Sequence, residues 1–121
     1  YKYLSNHLDL GKRGEEIASS FLVVLGYEIL EKNWRFSRAE IDLIVKDGAV
    51  LVFVEVKTRS YDFYGRPEEF VSERKRQLIE DAASQYMIKS GHEWEIRYDV
   101  ISVLLRKNGK EEVEHFKDAW F

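Results

Sequence analysis

Acids and bases are spaced through the stretch Arg38–Arg59, R-A-E-I-D-L-I-V-K-D-G-A-V-L-V-F-V-E-V-K-T-R, so that three of them can meet. Asp42 and Glu55 supply carboxylates, hard oxygen ligands for a divalent cation, and Lys57 an ammonium that balances negative charge. Gathered at one point, they form a minimal kit for metal-assisted phosphodiester hydrolysis. The ion activates a water, and the amine orients the nucleophile or steadies developing charge. The backbone carbonyl of Val56, directed sideways in a strand, is a further candidate ligand, and Glu15 or Glu40 suits a second or outer-sphere position. Mg²⁺, with Mn²⁺ as its substitute, is the ion such an oxygen set prefers.

Whether these groups meet depends on strand pairing. The stretch reads as two strands joined at Asp47-Gly48, a dipeptide tolerant of positive φ at both central positions of a tight turn. Pairing then begins with Lys46 opposite Ala49. Carried outward, it sets Leu43 opposite Val52, Asp42 opposite Phe53 and Glu40 opposite Glu55, with Asp42, Glu55 and Lys57 on one face. Asp42 and Glu55 become diagonal neighbours, roughly 7–8 Å apart at the backbone, which two side chains reaching for one cation can close. Glu40 facing Glu55 demands a positive partner, either Lys57 or a metal. From Val50 to Val54 both faces are apolar, as in an interior strand covered on each side, and charge appears only at its end.

The flanking segments supply the cover. From Lys12 to Leu25 the apolar residues Ile17, Ala18, Phe21, Leu22 and Leu25 recur at helical spacing, with Gly26 placed as a left-handed C-cap. Glu15 falls on the first turn of this expected helix, where a carboxylate also gains from the helix dipole. Tyr27 to Phe36 has strand composition, with Trp34 and Phe36 as core or rim packing. Tyr61, Phe63, Tyr64 and Arg66, before the only proline, Pro67, form a loop leaving the acid-bearing strand, either placed to touch a substrate or self-packed as an Ω-type loop whose aromatics cover core. Ser72 to Lys89 is a second helix with Ser72 as N-cap, Gly91 as terminator and a stripe of Leu78, Ile79, Ala82, Ala83, Tyr86 and Met87. Its first turn is basic, by default a solvated end, while Lys75, one turn before Leu78 on the stripe side, is also placed to point toward the sheet and the carboxylates. A long strand from Glu95 to Leu105 and a turn at Asn108-Gly109 into Val113 to Phe121 complete an α/β domain with a central mixed sheet flanked by helices.

The chain has 121 residues, no cysteine and a net charge of −3. One domain over residues 1–121 is expected, large enough to bury a core without disulfides, and thiol catalysis and zinc ribbons are excluded. No apolar run approaches 18 residues and the N-terminus lacks a secretory pattern, so a soluble, cytoplasmic protein with no membrane partner is expected. The missing initiator methionine points to a longer or processed chain. The net charge argues against non-specific coating of nucleic acid, but Arg35, Arg38, Lys57, Arg59, Arg66, Arg74, Lys75 and Arg76 gather in the middle third. They make a basic rim around an acidic centre, with Arg38, Arg59, Arg66 and Lys75 as candidates for holding a polyanionic substrate.

These residues resemble a known family. G-x-x-G-E at Gly11–Glu15, E-I-D-L-I at Glu40–Ile44, V-F-V-E-V-K-T-R at Val52–Arg59, G-x-P at Gly65–Pro67 and R-Y-D-V-I at Arg97–Ile101 are similar to the YraN-like family of small bacterial proteins. The likeness runs along nearly the whole chain, with Ala39 where that family usually has glycine. It implies the restriction-endonuclease-like fold with its PD-(D/E)xK motif, in the layout of archaeal Holliday junction resolvases. Carried over residue by residue, it implies Glu15, Asp42, Glu55 and Lys57 as the site. The expected function is a Mg²⁺-dependent endonuclease acting on branched, structured or single-stranded DNA, a homodimer if symmetric junctions are cut. The alternatives are a nucleic-acid-binding or assembly module that keeps the fold without turnover, and a purely structural ion-pair network.

Overall fold

The computed structural model describes residues 2–60 and 71–119, with side chains from residue 10 onward. Its elements run α1 (Lys2–Val24), β1 (Glu28–Phe36), β2 (Ala39–Asp47), β3 (Val50–Ser60), α2 (Glu73–Ser90), β4 (Ile96–Leu105) and β5 (Glu111–Phe116). The five strands form one sheet in the order β1-β2-β3-β4-β5. Only the β3–β4 pair is parallel, and α2 lies in the connection that a parallel pair requires. The loop with Tyr61, Phe63, Tyr64, Arg66 and Pro67 lies outside the described residues.

The central strands are apolar on both faces because both are covered. Ala18 and Leu22 of α1 pack on Leu43, Val45, Val52, Val54, Ile101 and Val103. On the other face Ile79, Ala82, Ala83 and Tyr86 of α2 pack on Ile41, Ile44, Leu51 and Phe53. Fully burying side chains such as Leu22 and Phe53 stabilises the fold by about 1.5–3 kcal/mol each. Tyr86 stands edge-on to Trp34 and Phe53, at 5.2 and 6.3 Å between ring centres. The stripe expected on α2 is the one that is buried, and its caps are those expected. The Ser72 hydroxyl accepts from the Lys75 amide at 3.1 Å, and Gly91 closes the helix in the left-handed conformation, φ 72°. The architecture is α/β, a mixed sheet between helices in the restriction-endonuclease-like arrangement.

Several expectations need correction. Helix α1 starts at Lys2, ten residues before the periodic segment, so Glu15 sits deep inside it and gains nothing from the dipole. β5 ends at Phe116 rather than Phe121. The β2–β3 register is displaced by two: Asp47 pairs with Val50, Val45 with Val52 and Leu43 with Val54. The turn is centred on Gly48-Ala49, and of the two only Gly48 has positive φ, 62°. That matches a hairpin turn with glycine at the first central position rather than one needing positive φ at both. A shift of two residues preserves the face of every side chain, whereas a shift of one would have inverted them. The acids therefore still converge, but Glu40 no longer faces Glu55. It lies across from Arg35 and pairs with it at 3.0 Å.

Candidate active site

The site forms where β2 and β3 part company. Their ladder ends at Leu43 and Val54, while β3 continues to Ser60 against β4 alone. The next rung would set Asp42 across from Glu55, and in the opening fork the Val56 amide donates to Asp42 Oδ2 at 2.8 Å. Both polar groups of one strand residue point to the same neighbour, so the Val56 carbonyl also faces the fork.

Strand β2 changes sides at this point. Ala39 and Ile41 pack with the α2-side cluster, whereas Leu43 and Val45 pack with the α1-side cluster, although strict alternation would put all four on one face. Asp42 is the residue between. Across the β1 ladder, between the pairs Lys32–Leu43 and Trp34–Ile41, lies Asn33 with φ 52°. Its amide donates to Glu15 Oε1 at 3.0 Å, tying the helix acid to the sheet. Glu15 comes this near because α1 lies directly on β3 at Gly14. A Cβ there would stand 1.7 Å from Thr58 Oγ1. Asn33 and the close packing at Gly14 escape sequence reasoning. The G-x-x-G-E motif was the available signal for Gly14, and no pattern singles out Asn33.

A cleft of about 330 Å³ joins these parts, lined by Glu15, Asp42, Glu55, Val56, Lys57, Arg59 and Lys75 among others. Glu55 is 4 % exposed, and its Oε2 faces two ammonium groups. Lys57 Nζ lies at 3.3 Å and Lys75 Nζ, reaching over from α2, pairs with the same oxygen. Lys75 thus points at the acids, the alternative its place on the stripe offered, rather than forming the solvated basic end expected by default. Burial and the neighbouring Glu55 charge push the Asp42 carboxyl up to about 8, against the Val56 hydrogen bond that favours ionisation. Burial pulls the Lys57 ammonium below its ordinary range, with Lys75 adding repulsion and Glu55 opposing both. Burial also works against the charge on Lys75, but its hydrogen bond and attraction to Glu55 prevail and the group is held above its usual value.

The other candidate residues are distributed as follows. Arg59 lies on the cleft wall and donates Nη1 to the Thr58 carbonyl at 2.9 Å, and burial lowers its pKa. Arg38 is exposed and lines an adjacent groove with Glu40. Arg66 lies outside the described residues. Among the described residues no three His, Cys, Asp or Glu side chains stand together closely enough to hold an ion as they lie. Asp42 and Glu55 form a pair and Glu15 is drawn toward Asn33. A pair of carboxylates is nonetheless what Mg²⁺ usually takes from a protein, with waters filling the remaining positions. A carboxyl that burial and an adjacent acid keep protonated near neutrality is also one whose ionised form needs added positive charge. On both counts the donor set fits a hard divalent ion, with Asp42, Glu55 and the Val56 carbonyl as holders.

Comparison with known proteins adds a family. The model of a family described as Uncharacterised protein family UPF0102 matches residues 14–103, a span containing Glu15, Asp42, Glu55, Lys57 and Lys75. A UPF0102 protein of Flavobacterium psychrophilum is 46% identical over 119 residues, 98% of each chain. Another, from Christiangramia forsetii, is 40% identical over 118 residues, again 98% of each. A third, from Rhodococcus jostii, is 38% identical over 118 residues, covering 97% of this chain and 100% of its own. Among the described residues no helix is long and apolar enough to cross a membrane.

Proposed function

This chain belongs to the UPF0102 family, the YraN-like proteins that its motifs resemble, and from that premise we propose that it is a divalent-metal-dependent endonuclease acting on structured or branched DNA. One observation carries the reading: Asp42 and Glu55 converge, with Lys57 beside them, at the open end of a fork in the sheet. Mg²⁺ or Mn²⁺, when bound, supplies charge to offset a phosphoryl oxygen and to activate water. Asp42 and Glu55 would hold that charge in place, Asp42 in its ionised form. Lys57, 14 % exposed and fixed by Glu55, is positioned to orient the attacking water or to stabilise negative charge on the phosphate. Glu15 also lines the cleft, with Asn33 fixing its direction, and would serve as an outer-sphere acceptor. Lys75 and Arg59 present positive charge where a phosphodiester backbone enters.

The test is incubation of the purified protein with flap, junction and single-stranded DNA plus Mg²⁺ or Mn²⁺. Cutting of at least one structured substrate, lost in Glu55→Ala, is expected. No cutting of any substrate, or cutting that survives in Glu55→Ala, ends the proposal. One observation favours a second reading, a binding module without turnover: Glu55 already carries two ammonium partners, so its charge is met without a metal. DNA binding that persists in EDTA and is indifferent to Asp42→Asn, with no cleavage, is what that reading predicts.

A further inference from the structure

We propose that the groove next to the acid cleft is a binding subsite for one unpaired nucleotide of a polynucleotide whose neighbouring phosphate lies at Glu55, an inference that rests on the nuclease reading of the cleft. Lys75 lines both depressions and forms the partition between them. An anionic chain leaving the acids therefore passes over an ammonium directly into the groove. The groove encloses about 290 Å³, and its floor is apolar, built from Ala39, Leu78 and Ile79. Its rim carries Arg38 and Arg74, both exposed.

The state of those two arginines is informative. Arg13, Arg35, Arg97 and Arg106 are each paired with a carboxylate. No carboxylate among the described residues pairs with Arg38 or Arg74. Glu40 also lines the groove, but its charge is taken by Arg35. The groove thus presents two uncommitted guanidinium groups over an apolar floor. A guanidinium binds a phosphate through its fork of donors and stacks on the face of a planar ring, while the floor suits the apolar face of a sugar or base. Bases in a duplex are covered on both faces by their neighbours, so only a nucleotide out of the stack can fill such a groove. The substrate class is accordingly DNA with a single-stranded segment next to the scissile phosphate, as at a flap, gap or branch.

The experiment is fluorescence anisotropy of the full chain with labelled oligothymidylate and with a blunt hairpin duplex, in EDTA so that nothing is turned over. The single-stranded probe should bind more tightly than the duplex. Arg38→Ala and Arg74→Ala should each weaken it about fivefold and make the salt dependence shallower by about one unit of slope. Arg38→Lys and Arg74→Lys retain charge but not the planar fork and should recover only part of the loss. Unchanged affinity in both alanine variants, or equal binding of the blunt duplex, overturns the subsite. The two proposals fail separately: binding through these arginines without any cleavage keeps the subsite and removes the nuclease, whereas metal-dependent cleavage with arginine-independent binding does the reverse.

Discussion

Asp99 and Asp42 belong to the same sheet and are both drawn away from water, yet one is ringed by donors and the other by acids. Asp99, on β4, is 0 % exposed. Its carboxylate receives Arg97 Nε at 2.8 Å and Nη2 at 3.0 Å, the Asp118 amide at 3.0 Å, and lies 2.7 Å from His115 Nε2. Burial alone would raise its pKa, but the bonds from His115, Arg97 and Asp118 outweigh burial and hold the carboxyl below the ordinary range. Arg97 completes its own fork on Asp47 and the Tyr27 hydroxyl, at 3.1 and 3.0 Å. Asp42 has the Val56 amide and, beside it, Glu55. A buried acid with a full set of donors is inert and ties strands together. One left short of positive charge is a place where a ligand can supply it.

That contrast can be broken first at Asp99. Asp99→Ala takes from Arg97, His115 and the Asp118 amide their shared acceptor inside the fold and should cost about 3–5 kcal/mol in urea unfolding, as losing one partner of a buried pair does. A loss below about 1 kcal/mol would show that the network is not structural. Next in size is Asp42→Asn, which replaces a largely protonated acid by a neutral amide that still accepts from Val56. Cleavage should fall by about 10²–10³-fold while stability at neutral pH rises, because the amide does not have to hold a proton that the unfolded chain releases. Their pH dependences should oppose each other. The folded pKa of Asp42 is raised to about 8, so its contribution is complete below the ordinary carboxylate pKa and is lost as pH rises through 8. The folded pKa of Asp99 is lowered, so its contribution holds above the ordinary value and disappears as acid titrates below it. Unfolding midpoints between pH 3 and 9 should lose their decline between about pH 4 and about pH 8 in Asp42→Asn only, and an unaltered decline would remove the premise.

Smaller changes sharpen the comparison by disturbing only what positions the acids. Gly14→Ala should destabilise by about 1–3 kcal/mol, because its methyl meets Thr58, even though alanine is the better helix former by about 1 kcal/mol. A higher melting temperature in this variant would contradict the close contact of α1 with β3. Smallest is Asn33→Gly, which keeps the left-handed backbone and deletes the amide that holds Glu15. About tenfold slower cleavage with less than about 1 kcal/mol of lost stability is expected, and an unchanged rate would leave Glu15 without a part in the site.

Much of this was legible in the linear chain because it depends on neighbours a few residues apart. The stripe and both caps of α2, the C-cap glycine Gly26 after α1 and the doubly apolar β3 follow from local periodicity and turn chemistry. So does the meeting of Asp42, Glu55 and Lys57, which survived a register error of two because side-chain direction repeats every two residues. The N-terminal half of α1 was not legible, its pattern being weak, and Asp99 appeared only inside a family motif, beside Arg97 but without its partners His115 and Asp118.

What the order of residues determined, then, is the type of each element and the chemical groups available at the end of β3. The fork between β2 and β3, the change of face at Asp42, the reach of Asn33 to Glu15 and of Lys75 to Glu55, and the opposite treatment of two aspartates were decided only by the folded chain. Each depends on the distance between segments far apart in sequence, and whether a buried charge is stabilised or left wanting depends on what surrounds it in space.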